Sequence, residues 1–273
     1  MNWTEEQLRL AIALYCQLPF GKMHSKNPEV IRLSEIIGRT PSAVAMKLVN
    51  FASLDPEIVE SGRSGLGNAS ALDRKVWERF QNNWYEEISS ASEQLGIVAD
   101  EKLDAPEEEL PLSVDTTRRA EVEVRKKQYI FRRMVLSSYT GVCCMSGLSE
   151  PRLLVASHIM PWKQHEENRL NPKNGLCLSV LHDKAFDIGL LTVRPDHSIV
   201  VSPQISKLHR DKFLQETLVA CQGKKISLPE KFHPAPEFLE WHNQNQCRPV
   251  WSMHSFIGRT KKVEDLEGCS FSS

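Results

Sequence analysis

The chain of 273 residues has little net charge of either sign: 34 Lys and Arg against 35 Asp and Glu leave −1 at pH 7. Bulk charge therefore points to no polyanionic partner or membrane surface. Nowhere do 18 apolar residues run together, which excludes a membrane-spanning helix; no membrane partner is expected. The opening MNWTEEQLRL is charged and lacks the basic-then-apolar order of a secretion signal, so a cytoplasmic protein is expected. Paired cysteines are also missing. Seven stand at positions 16, 143, 144, 177, 221, 247 and 269, none at C-x-x-C spacing. A zinc ribbon needs such pairs, and a disulfide framework fits poorly with a cytosolic chain of this size. Core or incidental thiols are expected.

What charge there is lies in blocks. Residues 98–115 carry seven acids and one lysine, whereas residues 118–133 carry seven Arg or Lys and two acids. The acidic stretch, 98–117, is the best linker. It separates an expected helical part, 1–97, from a second part, 118–273. The basic run is either a solvated amphipathic helix or a contact to a phosphate backbone.

In the first part, Thr4 can cap a helix with Glu5 and Glu6 in its first turn and Leu8, Ile12 and Tyr15 at helical spacing. Pro28 and Glu29 open another that runs to about Ile37, and Gly38 stops it. Thr40-Pro41 restarts a helix with the stripe Val44, Leu48, Phe51. Two short helices with a Gly-containing turn are the helix-turn-helix pattern, and equally that of an ordinary helical hairpin. The DNA-reading alternative assigns the contacts to Arg39 in the turn and to Ser42, Lys47 and Asn50, with Met46, off the apolar stripe. GRSGLGNASAL (62–72) is a loop. A helical pattern resumes over 72–95, where Trp77, Phe80 and Trp84 are expected in the core.

The second part opens with the basic helix, about 118–138. Residues 152–157 and 175–179 have strand character, VLHDKAFDIG that of a short helix, and LLTVRPDHSIVVS that of a hairpin turning at Arg194-Pro195-Asp196. Within 25 residues stand His158 at a strand end, Asn174 before the next strand, and His182 on a helix.

That series in strand–loop–strand–helix context resembles the HNH nucleases, with their ββα-metal fold. ASHIMPW, RLNPKNGLCLSVLHDKAFDIGLLTV and the preceding CCMSGL together are similar to one branch of bacterial HNH endonucleases over about residues 142–193. PAPEFLEWHN, 234–243, resembles that branch's tail. The resemblance implies a C-terminal ββα-metal nuclease domain; with the N-terminal helical part, of helix-turn-helix type on the reading above, the expected fold class is α+β. It implies metal-dependent hydrolysis of double-stranded DNA. His158 would be the general base, since a neutral imidazole takes a proton from water near neutral pH. His182 would hold one divalent metal, Mg²⁺ or Mn²⁺, with Ni²⁺ or Co²⁺ tolerated. Asn174 would tie the loop that carries His158, and Lys163 would meet a phosphate. Ser157 stands where many members carry Asp, Glu or His as a second metal ligand. Asp187 is then the nearest carboxylate candidate, although five residues on from His182 is about 140° round a helix; a cap or turn partner before Gly189 is its plainer role.

A nuclease fold alone carries little sequence information, because phosphate contacts position and base contacts specify. The N-terminal part would then select targets in a restriction or defence role, dependent or not on a modified base. Two further readings stay open: a DNA-binding regulator whose HNH fold is a scaffold, and an effector nuclease that a ligand or partner switches on. A double-strand break would need a homodimer or two independent nicks.

Overall fold

Helix α1, Glu5–Gln17, is the hub around which the first half folds. Its N-terminus is a capping box: Thr4 Oγ1 accepts from Gln7 N–H at 3.2 Å and Gln7 Oε1 accepts from Thr4 N–H at 3.3 Å. From Leu10 to Gln17 every residue is buried, which requires neighbours on all sides. The computed structural model describes residues 2–63, 65–94, 115–208 and 211–247. Around α1 it packs α2 (Pro28–Ile36), α3 (Pro41–Ala52), α5 (Ala71–Asn82), α6 (Trp84–Gln94) and α7 (Asp115–Ser138), with the short α4 (Pro56–Glu60) following α3.

The helix starts follow the sequence signals. Asn27, Thr40 and Asp55 each cap a helix whose first residue is proline. Gly38 ends the α2 segment at φ +66°, a left-handed conformation that glycine adopts without penalty. The pattern over 72–95 divides in two at Asn83, whose side chain caps α6 by accepting from Glu86 N–H at 3.5 Å. The break turns Trp84 back edge-on against Phe80, ring centroids 5.0 Å apart. The acidic stretch, 98–117, lies outside the described residues up to 114.

α7 joins the two halves. Its Ser137 hydroxyl donates to the Cys16 carbonyl at the end of α1 at 3.1 Å, and Arg133 pairs with Glu29 of α2. Its other side packs on β1 (Leu154–His158) and β2 (Gly175–Ser179). These strands pair antiparallel, with Leu154 opposite Ser179 and His158 opposite Gly175. Helix α8 (Val180–Asp187) follows directly, capped by Ser179. β3 (Leu191–Val193) and β4 (Ile199–Val201) form the expected hairpin. The short helices α9 (Pro203–Leu208), α10 (Lys212–Thr217) and α11 (Pro236–His242) complete the described chain. The architecture is α+β, and one continuous core runs through both halves.

The segment after α10 closes that core. Phe232 lies edge-on to Tyr15 and to Trp84. Lys231 is fully buried, and its ammonium donates to the Tyr15 and Leu18 carbonyls at 2.6 and 2.7 Å. Those carbonyls belong to the last turn of α1, where the helix dipole favours a cation.

Candidate active site

β1 and β2 form the floor of the site, and residues 159–174 loop between them. Asn174 organises that loop. It is fully buried. Its Oδ1 accepts from Met160 N–H at 2.8 Å, and its Nδ2 donates to the carbonyls of Met160 and Asn168, both at 3.2 Å. Its own carbonyl accepts from Ile159 N–H at 2.9 Å. A side-chain amide presents both a donor and an acceptor end, so one residue can hold two points of a loop.

His158 ends β1 within this enclosure. Its Nε2 lies 3.1 Å from the Arg169 carbonyl. A carbonyl only accepts, so Nε2 carries the hydrogen and Nδ1 keeps its lone pair. The ring stacks on Phe131 of α7 and stands edge-on to Trp162, at centroid distances of 3.6 and 5.2 Å. Arg169 closes the ring of contacts. Its Nε donates to the Trp162 carbonyl at 2.8 Å, and its guanidinium lies over the Trp162 indole. Burial pushes the His158 pKa down to about 4, against the pull of the Arg169 carbonyl. The imidazole is therefore neutral at physiological pH, with a lone pair on Nδ1, and a weaker base than a free imidazole.

His182 sits in α8 and is also buried, but it faces elsewhere. Its Nδ1 is 2.7 Å from Ser179 Oγ, and its Nε2 is 3.3 Å from the Thr217 carbonyl and 3.7 Å from Cys221 Sγ. Burial opposes charge on this ring, but hydrogen bonds to Cys143 and Cys221 outweigh it and raise the pKa to about 9. Burial likewise opposes a Cys143 thiolate, yet the bonds from His182 and Ser146 bring that thiol down to about 6.

The carboxylates do not complete a ligand set around His182. Asp187, proposed from sequence as its companion, is exposed at the end of α8, whereas His182 points into the core. Asp183, the next residue, faces Ser157; burial raises its pKa and the Ser157 hydroxyl partly offsets this. The geometry of that contact is poor, since buried Ser157 Oγ has no partner at hydrogen-bonding distance and angle. Among the described residues no group of three or more His, Cys, Asp or Glu is gathered to hold a metal ion. As arranged, the donors do not fit a preformed metal centre.

The N-terminal candidates are placed differently from the surface that the sequence suggested. Lys47 is buried, and its ammonium meets both carboxylate oxygens of Asp73 at 2.9 Å. Asn50 is buried as well. Both are corrected from groove contacts to interior residues, Lys47 by its ion pair with Asp73 of α5. Arg39 is turned to the start of α1, where it donates to Gln7 Oε1 at 2.9 Å and lies over the Trp3 ring. Ser42 and Met46 are exposed on α3. Lys163 is exposed on the loop, one residue beyond Trp162.

Sequence reasoning missed three residues of the site. Phe131 has no signal beyond its place on the apolar stripe of a basic helix. Arg169 and Cys143 stand at the start of two of the quoted motifs, but nothing in those motifs pairs Arg169 with His158 or Cys143 with His182. His242 is a core residue, stacked on Phe186 at 3.7 Å with Nδ1 2.8 Å from Thr192 Oγ1.

Residues 143–194 match the family model of the HNH endonucleases. That segment, from the first cysteine of the CCMSGL turn to the residue after β3, is similar to the HNH endonucleases, which suggests a nuclease of the HNH type. Nucleases of this type act on DNA and generally use a divalent metal ion. No curated protein matches the chain. Among the described residues no helix is long and apolar enough to cross a membrane.

Proposed function

We propose that the protein is an active DNA endonuclease in which His158 is the general base. The observation that carries this is the state of the His158 ring: neutral, with Nε2–H committed to the Arg169 carbonyl and the Nδ1 lone pair left to react. Water attacks phosphorus in line as Nδ1 takes its proton. The bond to the 3′ oxygen breaks, and that oxygen takes a proton from solvent. Asn174 acts through the loop, not on the substrate. Lys163, exposed beside Trp162, supplies a phosphate contact.

The biological role proposed is restriction or defence, with target choice, dependent or not on base modification, belonging to the helices before α7. Ser42 and Met46 are the exposed α3 side chains that remain for such contacts. A second reading is favoured by His182, whose two nitrogens both have protein partners. On it the site is a scaffold, or a nuclease that a ligand or partner must open.

Supercoiled plasmid from methylating and non-methylating hosts, incubated with Mg²⁺ or Mn²⁺, separates these. Nicking by the wild type that is lost in His158→Ala supports the endonuclease, and a difference between the plasmids supports modification-dependent selection. Binding without nicking at any metal supports the second reading.

A further inference from the structure

The base histidine is held by a residue outside the segment that defines the nuclease domain. Phe131, on α7, lies twelve positions before residue 143, where the family match begins. Its ring is nearly parallel to that of His158, at 14° and 3.6 Å between centroids. Such proximity needs α7 pressed against the sheet, and Gly175 permits it. A Cβ at Gly175, the residue paired with His158, would lie 2.3 Å from Val135 Cγ2 and 3.0 Å from Phe131 Cζ. Both α7 residues are almost fully buried. The helix is anchored on its far side to α1 and α2 through Ser137 and Arg133.

We propose that Phe131 is a positioning residue for His158, so that the N-terminal helices set the geometry of the nuclease site through α7. The proposal rests on His158 being the base. Three contacts confine the ring: the Phe131 face, the Trp162 edge and the Arg169 carbonyl. Without the aromatic face, the ring keeps its hydrogen bond but can pivot about it, and Nδ1 leaves the line of attack. A misplacement of about 1 Å can cost about 10²-fold in rate.

The test compares full-length wild type with Phe131→Leu and Phe131→Met, which keep apolar volume but remove the aromatic face. Each variant is first checked for a cooperative melt, and Met serves where Leu does not fold. Histidine-labelled protein gives the ring resonances, with His158 assigned from its loss in His158→Gln. In the wild type, ring current from Phe131 shifts the His158 ring protons upfield, and the ring nitrogens report the Nε2–H tautomer. In the variants the upfield shift disappears, the tautomers mix, and kcat for nicking falls about 10- to 100-fold with KM for plasmid unchanged. A wild type without the upfield shift overturns the proposal, as do variants that lose the shift but keep kcat. Should the wild type not cut DNA at all, the nuclease reading fails by itself. The resonances then decide: tautomers that mix in the variants support positioning, and a tautomer unchanged without Phe131 overturns it.

Discussion

Asn174 grips Met160 by both of its backbone groups, taking its N–H at 2.8 Å and giving to its carbonyl at 3.2 Å. The contact spans fourteen residues of chain and fixes the exit of the loop from His158 against its return into β2. Truncation to Asn174→Ala strands the buried N–H and carbonyl of Met160 and the part-buried carbonyl of Asn168. Each unsatisfied buried group costs about 1–3 kcal/mol. The expected result is a loss of a few kcal/mol in urea unfolding, together with loss of nicking. Asn174→Asp keeps the acceptor but turns a buried carboxylate oxygen toward the Met160 and Asn168 carbonyls, so at neutral pH it is at least as damaging as Asn174→Ala in both measurements.

Gly175→Ala tests the close approach of α7 and β2. The added methyl meets Val135 Cγ2 at 2.3 Å, well inside contact distance. Overpacking of this kind costs about 1–3 kcal/mol. Val135→Ala opens a cavity in the wild type but accommodates the new methyl. The double variant is therefore expected to be more stable than the sum of the single losses predicts, and a thermodynamic cycle from chemical denaturation checks this. Strict additivity would mean that the two positions do not meet.

The His–Asn–His series and its strand–loop–strand–helix setting were legible because they are local. Spacing, strand ends and helix caps are written within about 30 residues, from Leu154 to Asp187. The partners of those residues were not. Phe131 reaches His158 across 27 positions, and Cys221 reaches His182 across 39. Nothing in a single sequence marks such pairs. The face of α3 was misjudged for the same reason. Helical periodicity finds the first apolar stripe, but a second buried face is created by whichever helix packs there. Lys47 looks exposed until Asp73 of α5 meets it.

His242 gives a pH signature. Burial lowers its pKa to about 4, and its Nε2 is buried without a partner. The unfolded chain binds this proton near the ordinary value of about 6.5. Between those limits the unfolded state holds more protons than the folded one, so stability is fully present above pH 6.5 and falls as the pH drops toward 4. At pH 5.5 the loss attributable to this one residue is about 1 kcal/mol relative to pH 7.5. Guanidinium unfolding at both pH values should show a smaller decline in His242→Gln by that amount. An equal decline in both proteins would place the titration elsewhere.

Lys47 separates an interior role from a DNA-reading role. Its ammonium is bound to both oxygens of Asp73, whose side chain is fully buried. Asp73 also accepts from Ser70 N–H at 2.8 Å, which caps α5. Removal of one partner from a buried ion pair leaves an uncompensated charge, at a cost of about 3–5 kcal/mol. Lys47→Ala is therefore expected to be strongly destabilised in thermal and urea unfolding. Lys47→Met with Asp73→Asn, which removes both charges, should recover much of that loss. Lys163→Ala has the opposite profile: an unchanged melt, weaker plasmid binding and a smaller dependence of binding on salt, because one phosphate contact is lost. A stable Lys47→Ala with weakened DNA binding would return α3 to the groove.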